Sequence, residues 1–225
     1  MVRFPNTLQE VGSKTCGPSC LHNIYASFGM DKSLSVILHD LGVTDKDSTH
    51  LPQLARHLND NNIETTIISS NPFSVSPSWK NKSKEKIIEK LKKWVLHNYK
   101  DSYLRESLFL LFYLQEGGNL EIKDLSTKLI DQCISDGHLV LCCLEESWLW
   151  GKRKISGKQE YHDVKGHATG HFVIIIGQTE DEYIVNDPYP THLPGREGIY
   201  NVPKDQLFIA TIAWNPQILA LKQKG

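Results

Sequence analysis

The sequence has 225 residues, of which 40% are hydrophobic and 23% are charged, and its formal net charge is −1. This composition is typical of a soluble globular protein and excludes a disordered chain. The 25 basic and 26 acidic residues nearly balance, so global charge favours neither a nucleic acid nor a membrane as partner. The length predicts a single domain over residues 1–225.

The sequence shows no membrane span, secretory signal or disulfide framework. The longest apolar run, LFLLFYL at 108–114, has seven residues, whereas a bilayer span needs about 20. The first residues, MVRFPNTLQEVGSK, lack the apolar core of a secretory signal. The five cysteines follow no disulfide or zinc spacing. We therefore expect reduced thiols and a protein that is cytoplasmic, or exported without an N-terminal signal peptide.

The first part of the chain has mostly helical patterns. Apolar residues at helical spacing predict helices over 15–29, 33–42, 49–62, 83–100, 101–118 and 120–137. The β-branched run IETTIISS predicts a strand at 63–70, and residues 71–83 form a turn-rich connection.

Strand patterns dominate after residue 137. HLVLCCLEE is an apolar strand, and a polar loop of 147–170 follows it. HFVIIIGQTEDEYIVNDP predicts two strands about a turn near Glu180-Asp181. GREGIYNVPKDQLFIATIAW predicts a strand, a short helix and a closing strand. Runs of helices followed by runs of strands indicate an α+β fold with an antiparallel sheet.

Cys16 stands at the first turn of the first predicted helix, in the run TCGPSC. A reactive cysteine needs this setting, because the thiolate is the nucleophile and a helix N-terminus stabilises negative charge. Gly17 lets the backbone approach a substrate closely, and Pro18 is tolerated in a first helical turn. Free backbone N–H groups there can hold an oxyanion. These features make Cys16 a candidate nucleophile.

A thiolate nucleophile needs a base, and His171 is the strongest candidate. It begins the apolar strand HFVIII, whose burial would fix its ring at the rim of a site. The hairpin about Glu180-Asp181 is expected to return Asn186 and Asp187 to the level of His171 and Phe172. Asp187 would then orient the imidazole.

Each of these signals also has a structural interpretation. A free cysteine at a helix start is more often buried packing, and Asp-Pro after a strand is an ordinary turn signal. Cys20 lies on the same helix face as Cys16, and core packing is the default for it. The order of Cys16, His171 and Asp187 along the chain, with the predicted topology, favours the catalytic interpretation.

TCGPSCLHNIYASFG resembles the catalytic motif of the bacteriocin-processing, double-glycine-leader cysteine peptidases and their stand-alone relatives in the papain-like clan. GHFVIIIGQTEDEYIVNDPYP is similar to the His-containing strand and Asn-Asp-Pro strand end of that family, and THLPQLARHLNDNNIETTI to its helix and strand after the catalytic helix. The resemblance implies a papain-like fold, with the nucleophile on a central helix packed on a C-terminal antiparallel sheet. Residues 71–137 match no part of the family and are predicted to be a helical insertion.

The resemblance implies Cys16 as nucleophile, His171 as general base and then acid, and Asp187 as the orienting residue. Family members carry a glutamine six residues before the nucleophile, and its amide helps to form the oxyanion hole. This sequence has Glu10 at that position and Gln9 one residue earlier. A one-residue bulge through Val11-Gly12-Ser13 would return Gln9 to the oxyanion position.

The predicted function is hydrolysis of a peptide or isopeptide bond through a thioester acyl-enzyme, without a metal or an organic cofactor. The same residues would serve an acyltransferase or transglutaminase-like enzyme. A catalytically inactive pseudo-peptidase that acts as a binding module is a third interpretation, supported by the displaced Gln9.

The expected partner is a peptide or protein substrate. The lysine-rich helix of 84–100 is a candidate surface for an acidic protein partner. The aromatic residues Trp148, Trp150 and Tyr161 of the loop before His171 are expected either to grip substrate or to pack against the sheet. His162, His167 and His171 suggest metal-ligand spacing, but Gly166 and Gly170 before a strand argue against the helix that such a site would need.

Overall fold

The computed structural model describes residues 4–155 and 157–224. Residues 1–3, 156 and 225, which the predicted domain of 1–225 includes, lie outside the described residues. The helices are α1 (Cys16–Ser27), α2 (Leu34–Leu41), α3 (Leu51–Asp60), α4 (Lys84–His97), α5 (Leu104–Gln115), α6 (Thr127–Ser135), α7 (Glu146–Trp150) and α8 (Lys204–Trp214). The strands are β1 (Ile63–Ser69), β2 (Asn119–Ile122), β3 (Leu139–Glu145), β4 (Gly170–Gln178), β5 (Glu182–Asn186), β6 (Ile199–Pro203) and β7 (Gln217–Gln223).

All seven strands form one sheet in the order β2-β1-β7-β3-β4-β5-β6. Strands β1 and β2 pair in parallel, and every other neighbouring pair is antiparallel. The last strand, β7, lies between β1 and β3 and so joins the N-terminal and C-terminal parts of the sheet. The predicted α+β fold with a mainly antiparallel sheet is confirmed.

Helices cover both faces of the sheet. Along β3, Leu141 and Cys143 pack into a core with α1 to α5, whereas Val140, Cys142 and Leu144 pack into a second core with α6 to α8. This alternation is the period of two that a strand imposes on its side chains. Because both faces are buried, LVLCCL is continuously apolar rather than alternating.

The prediction of a helix over 120–137 is wrong in its first part. Residues Asn119–Ile122 form β2, which pairs with β1, and α6 begins only after Ser126, whose hydroxyl accepts the N–H of Leu129. Leu120 and Ile122 alternate with polar residues at the strand period. The helical pattern of the residues that follow obscured this short strand. The N-cap serine marks the residue before which no helix forms.

The closing strand is also displaced from its predicted position. FIATIAW continues α8 to Trp214, and the strand that closes the sheet is Gln217–Gln223. Leu207, Ala210 and Thr211 are buried at helical spacing, which explains why the β-branched residues of this segment stay helical.

The predicted loop of 147–170 also differs at its start, where α7 forms a short helix over Glu146–Trp150. Within 4–155 and 157–224, no helix combines the length and the apolar character needed to cross a membrane.

Tyr113 provides a test of how β2 is held in the sheet. Its buried hydroxyl accepts the N–H of Asn119 at 3.1 Å and lies 3.0 Å from the carbonyl oxygen of Thr65. Tyr113→Phe leaves both backbone groups without this partner, so we expect the free energy of unfolding to fall by about 1–3 kcal/mol. Urea unfolding measures it. Tyr99→Phe, at a position that is 66% exposed, is the control, and equal midpoints for the two variants would contradict the expectation.

Candidate active site

Cys16 is the first residue of α1, and its side chain is partly buried against the core. Thr15, which precedes it, makes no side-chain hydrogen bond to the helix end. The backbone of Phe172 and that of Gly17 both help to lower the pKa of the Cys16 thiol by hydrogen bonding. The start of α1 and the strand β4 thus both favour the thiolate form of Cys16.

Gly17 has a packing role that the sequence did not reveal. A Cβ atom at this position would overlap Oγ1 of Thr49 and lie 2.9 Å from Leu54. Glycine is therefore needed for the close contact of α1 with α3. From the sequence, glycine was expected here to let a substrate approach closely. The contacts instead require glycine for helix packing.

His171 is 3% exposed and lies at the start of β4. Its Nε2 is 2.7 Å from Oδ1 of Asp187, which is fully buried. The imidazole also lies close enough to the Cys16 thiol to lower its pKa, by hydrogen bonding and by charge. Since Nε2 is used by Asp187, Nδ1 is the nitrogen that remains for the sulfur. The three residues singled out in the sequence therefore lie in one connected group.

The strand register differs from the predicted one. Asn186 lies opposite Ile174 and not at the level of His171 and Phe172, and the pairing shifts at a bulge between Ile175 and Gly177. Asp187 follows the end of β5 and reaches His171 diagonally. Asn186 instead bonds to Asn23 of α1 at 3.1 Å.

Asp187 accepts four hydrogen bonds. Oδ1 accepts from Nε2 of His171 at 2.7 Å and from the backbone N–H of Tyr189 at 2.9 Å. Oδ2 accepts from the Trp150 indole at 3.0 Å and from the Tyr200 hydroxyl at 2.6 Å. Sequence reasoning missed Tyr200 altogether. The only signal for it was the alternating pattern of IYNV, which turns Tyr200 and Val202 to the buried side of β6.

These contacts shift the pKa values of all three residues. Burial raises the pKa of the Cys16 thiol, but the hydrogen bond and charge of His171 and the two N–H donors outweigh it, so the pKa lies below the usual 9.0. Burial lowers the pKa of His171, and the Asp187 carboxylate more than reverses this, so the pKa is raised. Burial raises the pKa of Asp187, but His171 and the other donors bring it below 3.8. The shifts of Cys16 and His171 favour a thiolate–imidazolium pair.

Aromatic rings pack against His171. The ring centroid of Trp150 lies 5.3 Å from that of His171, and Tyr189 meets the imidazole edge-on at 6.1 Å. Trp150 and Tyr189 are both buried, whereas Trp148 is 53% exposed. Of the loop aromatics, Trp150 thus packs at the site and Trp148 faces solvent.

Gln9, and not Glu10, is the buried residue of the segment before Cys16. Its side chain is buried and its Nε2 donates to the Ser13 carbonyl at 3.2 Å, while Glu10 is exposed. A turn over 10–13, closed by a 3.1 Å bond from Ser13 N–H to the Glu10 carbonyl, lies where the sequence predicted a bulge. Gly12 has a φ of +80°, a conformation that favours glycine. The backbone of Gln9 donates to Pro188, next to Asp187, at 2.8 Å.

The remaining candidates lie apart from this group or within the core. Cys20 is fully buried, and its thiol donates to the Phe172 carbonyl at 3.4 Å. Among the described residues, no three His, Cys, Asp or Glu side chains are grouped as metal ligands. In the lysine-rich helix, Glu89 pairs with both Lys86 and Lys93.

No protein-family model matches the sequence, and no curated protein matches it. Several solved structures, including the following two, are similar to the chain. One is the peptidase domain of ComA from Streptococcus, a bifunctional ABC transporter of a quorum-sensing pathway, at 9% identity and a TM-score of 0.47 over 99% of this chain and 100% of that one. The other, described as a C39-like peptidase from Bacillus anthracis, has 13% identity and a TM-score of 0.46 over 99% of this chain and 96% of that one. The function proposed below rests on the site residues themselves.

The lowered pKa of Cys16 predicts selective alkylation. Iodoacetamide reacts with thiolates, so labelling of Cys16 should begin at a lower pH than that of an ordinary thiol. The other four cysteines are buried and their pKa values are raised, so they should stay unlabelled. His171→Gln removes the cation, and the midpoint should move up toward 9.0. Peptide mass mapping across pH measures both, and equal midpoints in the two proteins would contradict the account.

Proposed function

We propose that this chain is a papain-like cysteine peptidase in which Cys16 is the nucleophile, His171 the general base and acid, and Asp187 the orienting residue. One observation carries the proposal. Cys16 stands at a helix N-terminus beside an imidazole that lowers its pKa, and a buried carboxylate holds Nε2 of this imidazole at 2.7 Å. A nucleophile, a base and an orienting group in hydrogen-bond contact are what covalent catalysis requires.

The substrate is a peptide or isopeptide bond. The Cys16 thiolate attacks the carbonyl carbon, and the imidazolium of His171 gives its proton to the leaving amine as the C–N bond breaks. A thioester acyl-enzyme and a free amine result. His171, now neutral, takes a proton from water, the resulting hydroxyl attacks the thioester carbonyl, and the Cys16 thiolate leaves. The thiolate–imidazolium pair is restored, and the carboxylic acid product gives its proton to solvent.

The oxyanion of the tetrahedral intermediate needs donors beside the sulfur. We assign this role to the N–H groups at the start of α1 and to the side-chain amide of Gln9. The burial of Gln9 and the exposure of Glu10 support this assignment. A carboxylate facing the oxyanion would oppose catalysis, and the turn over 10–13 directs Glu10 to solvent.

Residues 1–225 are proposed to be one papain-like domain with 71–137 as its insertion. Helix α5 of the insertion packs on α3, and its buried Glu106 bonds His50, next to the Thr49 that lies against Gly17. The insertion thus adjoins the wall of the proposed site on the Cys16 side, where it would contact substrate.

Removal of the nucleophile tests the proposal directly. An activated ester, p-nitrophenyl acetate, supplies an acyl group without a known peptide substrate. Wild-type protein should release p-nitrophenol and form an acetyl thioester on Cys16, while Cys16→Ala should do neither. Asp187→Ala should slow turnover by about 10²- to 10⁴-fold. Cleavage of a peptide library by Cys16→Ala would reject the assignment, and transfer to an added amine in preference to water would favour the acyltransferase alternative.

The oxyanion role of Gln9 gives a separate prediction. Loss of one oxyanion donor typically lowers kcat by about 10²- to 10³-fold, so Gln9→Ala should lose that much ester turnover. The matched control is Glu10→Gln, an exposed neighbour that should leave turnover unchanged. If Gln9→Ala retained full kcat, the backbone N–H groups would be the whole oxyanion site.

A further inference from the structure

The Asp187 carboxylate lies in a buried environment to which several helices and strands contribute. It is fully buried, and its donors come from β4 (His171), α7 (Trp150), β6 (Tyr200) and the backbone after β5 (Tyr189). Each oxygen has two donors. A buried carboxylate without such donors tends to take up a proton and become neutral.

The indole N–H of Trp150 and the hydroxyl of Tyr200 both donate to Oδ2 of Asp187. Tyr200 therefore acts on the chemistry through Asp187, whereas Trp150 also packs against His171, with ring centroids 5.3 Å apart. If Asp187 became neutral, His171 would lose its counter-charge, and Cys16 would lose the imidazolium that stabilises its thiolate. Through Asp187, the donors to Oδ2 therefore influence whether Cys16 is a thiolate or a thiol.

The same geometry explains why a carboxylate and not an amide suits this position. Oδ1 and Oδ2 both face donors, so the residue must accept on both sides. An asparagine accepts on one side only, and its NH₂ group would meet the N–H of His171 or that of Trp150. Trp150 has no acceptor with which to adapt.

We propose that Trp150 and Tyr200 are positioning residues of the reaction: by donating together to Oδ2, they keep Asp187 ionised and turn Oδ1 toward His171. This inference rests on the proposed function of Cys16, His171 and Asp187. It adds two residues, from two elements that sequence reasoning did not connect, to the machinery of the site.

Other charged or titratable groups surround the same region and stay unchanged in the test. They are Cys16 and Cys20 on α1, Glu146 on α7, Lys154 and Tyr161 in the following loop, and Tyr189 beside Asp187. Lys154 pairs with Glu146 at 3.0 Å and lies 3.9 Å from the ring centroid of Tyr189. Lys154 also lies 5.0 Å from the ring centroid of Trp150, so Tyr200→Phe, which leaves both of these contacts in place, is the cleaner test of a lost donor.

The experiment is the pH profile of Cys16 alkylation in Trp150→Phe, Tyr200→Phe and the double variant. Loss of hydrogen bonds to its carboxylate should make Asp187 easier to protonate. The acid limb of the profile, the pH range over which Cys16 labelling begins, should therefore move to higher pH. We expect a shift of about 1–2 pH units in the double variant and a smaller one in each single variant.

Tyr183→Phe is the matched control. Like Tyr200, Tyr183 is buried in the core of α6 to α8, and its hydroxyl donates to a carboxylate oxygen, that of Asp131, at 2.8 Å. This variant should lose a comparable amount of stability without moving the profile. A purely structural role for Tyr200 would make the two tyrosine variants alike.

The outcomes separate the inference from the proposed function. The inference is overturned if the folded double variant shows an unshifted acid limb. It is also overturned if Tyr183→Phe shifts the acid limb as much as Tyr200→Phe does. If the double variant does not fold, Tyr200→Phe, which removes only one oxygen atom, decides in the same way. A wild-type Cys16 that titrates like an ordinary thiol would instead overturn the proposed function itself.

Discussion

The buried hydrogen bond between His171 and Asp187 is the contact on which the rest of the site depends. Two charges inside a protein are costly unless each is paired and fully hydrogen-bonded. Here the carboxylate has four donors, and the imidazole has the carboxylate on one side and the Cys16 sulfur on the other. These bonds stabilise the charges of His171 and Asp187 inside the fold, and the charge of His171 lowers the pKa of the Cys16 thiol.

The architecture brings this group together at one end of the sheet. Cys16 belongs to the helical layer of α1 to α5, whereas Trp150 and Tyr200 belong to the core of α6 to α8. His171, at the start of β4, lies where the two layers meet. Close packing fixes the positions of the elements that carry the site. A side chain at Gly17 would separate α1 from α3, and one at Gly170 would overlap the ring of Trp214. The same packing that builds the core sets the geometry of the site.

Much of this organisation was predictable from local sequence patterns. The helix at Cys16, the hairpin of β4 and β5 and the α+β class follow from periodicity, caps and turn residues. The choice of Cys16, His171 and Asp187 followed from a reactive position at a helix start and from the hairpin that leads to Asp187. Even with the register misjudged, the hairpin was short enough to keep Asp187 within reach of His171.

The features that escaped prediction depend on contacts between distant segments. Nothing local to Trp150 or Tyr200 marks a carboxylate partner, because both meet Asp187 only after β3, β5 and β6 have assembled. Strand β2 is four residues long and is defined by its pairing with β1. The burial of Gln9 depends on a turn and on a bond to Pro188, neither of which has a periodic signal.

The protonation state of His171 near neutral pH tests the central claim most directly. Nitrogen NMR of protein labelled at histidine distinguishes an imidazolium, with two protonated nitrogens, from a neutral ring, and the resonances absent in His171→Gln identify the residue. The account predicts an imidazolium for His171 while Cys16 is a thiolate. A neutral His171 ring beside a protonated Cys16 in the wild-type protein would contradict it.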